Sequence, residues 1–255
     1  MLHAVLFDLD DTLYSERDFV SSGFDAVAAH AASELGVRGA TFRAALDDAL
    51  RDHGRGHTFD RALEAQGLSH EEIASIVPEL VHVYRQHRPR IALLPDATRC
   101  LDALVRADVP CGVVTDGHPE VQRAKVEALG LRGRLEIERY TWDAGEAFQK
   151  PHRLAFEPAL AVLAARGIFA HEVAYVGDNP TKDFVGARAL GLTTFRIHRG
   201  PHANIEMPRV FEAEHRIHSL DELLPAVLRP RSNADHVARW LFPRRASARA
   251  MRAAP

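Results

Sequence analysis

Four short apolar runs stand out along the chain, and turn-forming residues bound each of them. They cover residues 3–7, 109–114, 172–177 and 192–197. Runs of this length that are apolar on both faces are typical of buried strands in a parallel sheet.

Helical periodicity fills the stretches before, between and after the later runs. The predicted helices cover about 96–107, 118–130, 152–166 and 180–190, with Gly130, Gly167 and Gly191 placed to end the last three. Strands that alternate with helices in this way predict an α/β fold with a doubly wound parallel sheet.

Roughly 75 residues separate the first run from the helix near residue 96, which is far more than a crossover connection between strands needs. This stretch shows no convincing strand, but apolar residues recur in it at helical spacing, and Ser69 and Glu72 form a capping-box pattern. The spaced positions are Phe19, Phe24, Val27, Ala31, Leu35, Phe42, Leu46, Leu50, Ile73, Ile76, Leu80 and Val83. We therefore predict a four-helix insertion over residues 15–90, set into a core formed by residues 1–14 and 91–228.

The last stretch, residues 229–255, holds seven arginines against one acid, Asp235. Such a composition is typical of a solvated basic tail. Trp240, Leu241 and Phe242 offer apolar surface for docking on the body or on a partner, but we assign the tail no role.

The composition is that of an ordinary globular protein, with 255 residues of which 46% are hydrophobic and 26% charged. A formal net charge of −3 and few aromatic residues argue against nucleic acid as a partner and favour a small molecule. The two cysteines, Cys100 and Cys111, lie in apolar settings without metal-ligand spacing, which fits a reducing compartment. The first apolar run leads directly into acids, unlike a signal peptide or a membrane-spanning helix. We expect a cytoplasmic protein that does not bind membranes.

Polar residues follow three of the apolar runs at the point where each predicted strand ends. They are Asp8 and Asp10 after the first run, Thr115 and Asp116 at the second, and Asp178 at the third, with Asp183 shortly beyond. Ligands of an open parallel sheet bind at this carboxyl edge of the strands. A single aspartate after a strand is more often a turn former or a helix cap, but the recurrence of aspartates favours a shared site.

As residues two apart in a strand, Asp8 and Asp10 would share a face, and their like charges would repel unless a cation or a proton is shared. With Asp178 added, a bound cation is the simplest remedy. An all-oxygen set, with no histidine or cysteine in the cluster, suits Mg²⁺ better than zinc.

Lys150 precedes Pro151, which can open a helix at its first position. Beside a metal and carboxylates, this lysine would bind phosphate and offset the negative charge, although a lone lysine is usually a surface charge. Thr115 and the backbone amides of Asp116 and Gly117 supply neutral donors of the kind that cradle phosphate oxygens. The alternative for Thr115 is a plain β-branched strand residue.

Taken in order, these segments resemble the four motifs of the haloacid dehalogenase superfamily of hydrolases. They are Phe7-Asp8-Leu9-Asp10-Asp11-Thr12, Val114-Thr115-Asp116-Gly117, Lys150, and Gly177-Asp178-Asn179-Pro180-Thr181-Lys182-Asp183. The predicted insertion resembles the C1-type helical cap of that superfamily, and the core its Rossmann-like domain. Asp116 stands where the second motif often has asparagine, but its backbone amide would still serve.

The resemblance implies that Asp8 attacks phosphorus to form an aspartyl-phosphate, while Asp10 protonates the leaving oxygen and later activates water. It also implies a Mg²⁺ ion held by the Asp8 carboxylate, the backbone carbonyl of Asp10 and Asp178. Asp183 would support the site through water or by orienting Lys150.

The same resemblance separates the branches of the superfamily. Its dehalogenases lack the second aspartate of the first motif, whereas this chain has Asp10. Its phosphonate-cleaving branch needs a lysine from the cap, and no lysine occurs between Met1 and Arg123. Both activities are therefore disfavoured.

The leading hypothesis is a Mg²⁺-dependent phosphatase acting on a small phosphate monoester, such as a sugar phosphate or a nucleotide. One alternative is a phosphomutase of the β-phosphoglucomutase type, which a bisphosphate requirement would reveal. Another is a non-catalytic binding protein, which the intact motif residues argue against. The sequence leaves open the physiological substrate and the choice between a monomer and a homodimer.

Because caps of this kind close over the site, the polar loop from Arg51 to His57 is the natural candidate for substrate contacts. Arg55 is placed to meet an anionic substrate, although a solvated loop arginine is the simpler interpretation. His53 and His57 have metal-ligand spacing, but the glycines between them break the helix that would align them, so we predict no second metal. His118, just after the second motif, is an equal candidate for the site entrance and for helix-start surface.

Overall fold

The computed structural model describes residues 1–228, so the predicted basic tail at 229–255 lies outside the described residues. Six strands form one sheet in which every neighbouring pair is parallel. They are β1 (Ala4–Phe7), β2 (Cys111–Thr115), β3 (Ile137–Tyr140), β4 (Val173–Gly177), β5 (Thr193–Ile197) and β6 (His215–Ile217). Their order across the sheet is β3-β2-β1-β4-β5-β6, which confirms the predicted doubly wound arrangement.

The sheet order places β1 at the point where the chain changes direction. Phe7 at the end of β1 is aligned with Val113 of β2 on one side and Val176 of β4 on the other. Parallel sheets bind ligands in the crevice that such a switch point opens at the carboxyl edge. The ends of β1, β2 and β4 therefore face one crevice.

Two strands, β3 and β6, were not predicted. Both lie at the edges of the sheet and carry charged or exposed residues, such as Glu138 in β3 and Arg216 in β6. Edge strands are commonly short and polar because this discourages pairing with other chains. They therefore lack the continuous apolar run that marked the four inner strands.

The α-helices of the described residues fall into the insertion and the core. They are α1 (Glu16–Glu34), α2 (Gly39–His53), α3 (Thr58–Glu64), α4 (His70–Gln86), α5 (Pro95–Arg106), α6 (Pro119–Ala128), α7 (Glu157–Ala164), α8 (Phe184–Ala189) and α9 (Leu224–Val227). The glycines predicted to end α6, α7 and α8 have φ values of 64°, 75° and 88°, respectively, a left-handed conformation that favours glycine.

Two core helices begin later than predicted. A 3₁₀ turn, Arg153–Ala155, precedes α7, and Pro158 rather than Pro151 lies in the first turn of that helix. Before α8, the Asn179 side chain accepts a hydrogen bond from the Thr181 amide at 3.0 Å. Such side-chain turns compete with helical hydrogen bonds, which keeps this segment out of the helix.

Both faces of the sheet are buried, as the apolar runs predicted. Val5 and Phe7 of β1 pack into one hydrophobic cluster together with residues of α5. Ala4 and Leu6 pack into a second cluster on the opposite face, together with residues of α7 and α8. Alternate side chains of a strand point to opposite faces, so the central strand supports both clusters.

The insertion consists of four helices with a hydrophobic cluster of their own. The predicted capping box is present at the start of α4, where Ser69 and Glu72 bond each other's backbone amides. The polar loop predicted from Arg51 to His57 is shorter than expected, because α2 continues to His53 and ends at Gly54. None of the helices formed by residues 1–228 combines the length and apolar character needed to cross a bilayer.

Candidate active site

Asp8 follows the last residue of β1 and is 1% exposed. Its Oδ1 accepts a hydrogen bond from Lys150 Nζ at 2.6 Å. Its Oδ2 is buried and has no hydrogen-bond partner among the described residues. Burial raises the pKa of Asp8 to about 7, and the charge of Lys150 acts in the opposite direction. A carboxylate held at one oxygen leaves the other available to a reacting atom or a metal ion.

Lys150 joins three groups below the crevice, and its side chain has no exposed surface. Besides Asp8, it donates to Asp183 Oδ1 at 2.8 Å and to the Tyr175 hydroxyl at 3.0 Å. Burial alone would lower the pKa of Lys150, but Asp183 and Asp8 hold it well above its ordinary value. The lysine is therefore a fixed positive charge beside Asp8.

Asp8, Asp178 and Asp183 each offer a carboxylate oxygen, and these oxygens lie within 4.8 Å of one another. Gly177 permits this approach, because a Cβ at that position would collide with the Asp183 carboxylate. Three carboxylates and the unpaired Asp8 Oδ2 fit a hard divalent cation such as Mg²⁺. Asp183 is already engaged by Lys150 at Oδ1 and by the Asn179 amide at Oδ2, which suits a supporting position.

Asp178 also forms a hydrogen bond with a histidine that lies outside the four motifs. His202 Nδ1 lies 2.8 Å from Asp178 Oδ2, and this bond raises the pKa of His202. The backbone carbonyl of His202 in turn accepts a hydrogen bond from the buried Arg196 at 2.7 Å. The loop after β5 therefore helps to orient Asp178.

The Asp10 carboxylate has a separate set of partners. Its Oδ1 accepts hydrogen bonds from Lys125 Nζ at 2.7 Å and from the Tyr14 hydroxyl, and its Oδ2 accepts one from Gln122 at 2.9 Å. Burial alone would raise the pKa of Asp10, but these partners, above all Lys125, lower it to about 2.

The repulsion that led us to expect a cation shared by Asp8 and Asp10 is relieved in another way. β1 ends at Phe7, so the two aspartates do not follow strand alternation, and each carboxylate has its own lysine. A metal contact through the Asp10 backbone carbonyl stays a prediction.

The second motif lies where phosphate donors were predicted. Thr115 ends β2 and accepts a hydrogen bond from Gln122 at 2.5 Å, which leaves its hydroxyl hydrogen free to donate. Gly117 adopts a positive φ of 114° in the turn that follows. The Asp116 carboxylate, for which we predicted no role, accepts a hydrogen bond from the Lys150 amide at 3.1 Å. It therefore ties the second motif to the third.

A cavity of about 700 Å³ opens over these groups, within the range of small-molecule sites. Its lining includes Asp8, Asp10, Asp116, Gly117, Gln122, Lys125, Asp178, Lys182 and His202 from the core, and Glu16, Arg55, Phe59, Val81, Tyr84 and Arg85 from the insertion. Thr115, Lys150 and Asp183 are buried beside it.

The two predicted substrate contacts both line this cavity. Arg55 is committed to a two-point ion pair with Glu16, one contact of which is 2.8 Å long. His118 is exposed, and the centre of its ring lies 5.0 Å from that of Trp142. His118 and Trp142 thus line the cavity together, whereas Arg55 already has an anionic partner.

Several site residues were not predicted from the sequence. They are Tyr14, Gln122, Lys125, Tyr175, Lys182 and His202. All but Lys182 lie outside the four motifs, and Lys182 lies in the fourth motif but had no predicted role. Gln122 and Lys125 are three apart on one face of α6, a pattern that any surface helix can show. A tyrosine in an otherwise apolar strand, two residues before Gly177, was the one available signal.

The sequence pattern of haloacid dehalogenase-like hydrolases matches residues 2–191. The chain is 29% identical to a glyceraldehyde 3-phosphate phosphatase from Methanocaldococcus jannaschii, over 89% of this chain and 97% of that protein. It is 31% identical to a ribulose-1,5-bisphosphate 5-phosphatase from Halopiger xanaduensis, over 76% and 84% of the two chains.

Solved structures share the fold at low sequence identity. The magnesium-bound HAD-hydrolase YfnB from Bacillus subtilis superposes with a TM-score of 0.62 at 18% identity, over 89% of this chain and 98% of that one. An L-2-haloacid dehalogenase from Xanthobacter autotrophicus gives a TM-score of 0.53 at 21% identity, over 91% and 100%. These likenesses bear on the fold alone.

Proposed function

Because this chain belongs to the haloacid dehalogenase-like hydrolase family, we propose that it is a Mg²⁺-dependent phosphatase that acts through an aspartyl-phosphate on Asp8. It is an enzyme that hydrolyses phosphate monoesters, as are the phosphatases that it matches over most of their length. The observation that carries the mechanism is the Asp8 carboxylate, which is fixed at Oδ1 by Lys150 and unpaired at Oδ2 on the floor of the cavity.

In the first step, Asp8 Oδ2 attacks phosphorus and the ester P–O bond breaks as the leaving oxygen takes a proton. Lys150 and the donors of the second motif offset the charge that develops on the phosphoryl oxygens. In the second step, water attacks the same phosphorus and the bond to Asp8 breaks, which releases phosphate and restores the carboxylate. Asp10 is present to activate that water. Because the dehalogenases lack this aspartate, dehalogenase chemistry is disfavoured here.

Asp10 is ionised in the free protein because its pKa lies at about 2, and the ionised carboxylate is the form that can accept a proton from water in the second step. The first step needs a proton on this group. A phosphate dianion bound beside Asp10 favours that proton, since a nearby like charge raises the pKa of a carboxyl group.

Asp10→Asn should therefore separate the two steps. With an alkyl phosphate, whose leaving oxygen needs a proton, we expect turnover to fall by about 10²–10⁴-fold. With p-nitrophenyl phosphate, whose leaving group needs none, we expect a rapid burst of one nitrophenol per active site followed by slow turnover. Stopped-flow absorbance measures the burst. Equal losses on both substrates without a burst would contradict the role of Asp10.

Asp8 and Asp178 would hold the Mg²⁺ ion, with Asp183 behind them, and the bound ion would neutralise charge on the transferring phosphoryl group. What supports this is the oxygen donor set, since carboxylate oxygens of Asp8, Asp178 and Asp183 lie within 4.8 Å of one another. The ion would also orient the phosphoryl group against Asp8.

Removal of metal should abolish phosphate release, and Mg²⁺ should restore it. Because a ligand that binds only the folded state stabilises it, saturating Mg²⁺ should raise the melting temperature, by an amount corresponding to about 2.7 kcal/mol at a hundred times its Kd. Calorimetry of the chelator-treated protein measures this. The rise should vanish in Asp178→Asn and persist in Asp143→Asn, which alters an acid outside the cluster. A rise of equal size in both variants would argue against the site.

We also propose that the helical insertion, residues 15–90, acts as a cap over a core of residues 1–14 and 91–228. Support comes from the cavity, whose walls combine Phe59 and Tyr84 of the insertion with Asp8 and Asp178 of the core. Closure of such a lid would exclude water from the first step. A cytoplasmic setting is supported by two buried cysteines, Cys100 and Cys111, that form no disulfide.

A further inference from the structure

The basic residues that line the cavity differ in whether they have an acidic partner. Four lysine or arginine side chains of the described residues line it, namely Arg55, Arg85, Lys125 and Lys182. Three of them face an acid of the same cavity: Lys125 pairs with Asp10 at 2.7 Å, Lys182 with Asp116 at 3.5 Å, and Arg55 with Glu16 at two points. Their charges are already balanced within the site.

Arg85 is the exception. No hydrogen bond or ion pair joins its guanidinium to any other residue in the described part of the chain, and the side chain is exposed. It lies in the last turn of α4, where Val81 and Tyr84 line the cavity with it at the three- and four-residue spacing of one helix face. The free charge therefore belongs to the wall of the cavity.

Arg85 belongs to a different part of the fold from the proposed phosphate site. Asp8 and Lys150 lie at the carboxyl edge of the sheet, whereas Arg85 comes from the insertion. Arg85 also lines a second groove, of about 670 Å³, which runs past His118 at the start of α6. It therefore borders both the cavity and this groove.

We propose that Arg85 binds a second oxyanion of the substrate, a carboxylate or a second phosphate, at the end remote from the hydrolysed phosphate. This inference rests on the proposed phosphatase function and narrows its substrate class to phosphate monoesters with another anionic group. The planar guanidinium presents paired donors that match a carboxylate or phosphate at two points.

Binding rather than turnover gives the cleanest test, in an Asp8→Asn background that does not consume the ligand. Isothermal titration with Mg²⁺ present would compare 3-phosphoglycerate with glycerol 3-phosphate, which carries a hydroxymethyl group in place of the carboxylate. Fructose 1,6-bisphosphate against fructose 6-phosphate tests a second phosphate in the same way. We expect the ligand with the extra anion to bind about tenfold tighter in at least one pair, as a charge-assisted hydrogen bond at an exposed site allows.

Arg85→Gln should remove that preference, and Arg85→Lys should retain part of it. Arg88→Gln is the matched control, because Arg88 is an exposed arginine just beyond α4 that does not line the cavity. It should leave the preference intact. A preference that survives Arg85→Gln, or is absent from both pairs in the parent protein, would overturn the proposal.

The same experiment keeps the two proposals apart. Hydrolysis of p-nitrophenyl phosphate by the protein with native Asp8 reports the phosphatase function without the second anion. If the protein hydrolyses p-nitrophenyl phosphate but shows no binding preference that depends on Arg85, only the proposed anion site is contradicted. If binding of the ligand with the extra anion depends on Arg85 but the protein hydrolyses no phosphate ester, the proposed function is contradicted and the anion site stands.

Discussion

Asp8→Asn protein should release phosphate at least about 10³-fold more slowly than native protein, because an amide cannot replace the attacking carboxylate. The substitution keeps the shape of the side chain, and Asn Oδ1 can still accept the hydrogen bond that Lys150 donates. We therefore expect the fold to survive while the chemistry is lost. Initial rates with p-nitrophenyl phosphate at saturating Mg²⁺ measure the loss, and far-UV circular dichroism checks the fold.

Asp11→Asn is the matched control for that variant. Asp11 lies in the same segment and lines the same cavity. Among residues 1–228, its Oδ1 accepts a hydrogen bond only from the Glu16 amide, at 3.0 Å, and an asparagine side chain can keep that contact. Its left-handed backbone, with φ of 51°, suits asparagine as well as aspartate. Activity within a few-fold of native is expected. Comparable losses in both variants would mean that charge in the cavity, rather than a nucleophile, had been removed.

Lys150→Met should damage stability and activity together. The native lysine is fully buried between Asp8 and Asp183, so its removal leaves two buried carboxylates without their counter-charge. Breaking a buried ion pair from one side costs about 3–5 kcal/mol. Loss of the fixed positive charge beside Asp8 should also lower kcat by about 10²–10³-fold. Urea unfolding and steady-state rates measure the two effects.

Lys182→Met provides the comparison for Lys150. Lys182 lines the same cavity, but its side chain is 31% exposed and lies 3.5 Å from its acidic partner, Asp116. Partly exposed pairs contribute little, so the free energy of unfolding should change by less than about 1 kcal/mol. If Lys150→Met were no less stable than Lys182→Met, the buried cluster would not have the structural role assigned to it.

The inner strands could be predicted from the sequence because burial on both faces leaves an uninterrupted apolar run, as in residues 173–177 of β4. The edge strands could not, since Glu138 and Arg139 of β3 break that pattern. The late start of α7 was missed for a related reason. Apolar spacing continues through the 3₁₀ turn at Arg153–Ala155, and only the backbone distinguishes the two.

Asp8, Asp116 and Asp178 could be predicted because each directly follows a strand, whose position fixes theirs. Their partners come from other elements and depend on tertiary packing. Lys125 lies 115 positions from Asp10 in sequence, and no local pattern connects them. The same holds for Arg55 and its ion pair with Glu16, which are 39 positions apart. This pairing is why Arg55 looked available in the sequence and is committed in the structure.

Identification of the phosphorylated residue tests the central claim, nucleophilic attack by Asp8, most directly. Acid quenching of Asp10→Asn protein during its burst with a ³²P-labelled monoester would trap the covalent intermediate, because this variant should form it faster than it breaks down. Peptide mass mapping then locates the label. We expect one phosphoryl group per active site, carried by Asp8. Label on another residue, or a burst of product with no label on the protein, would contradict the assignment of Asp8 as the nucleophile.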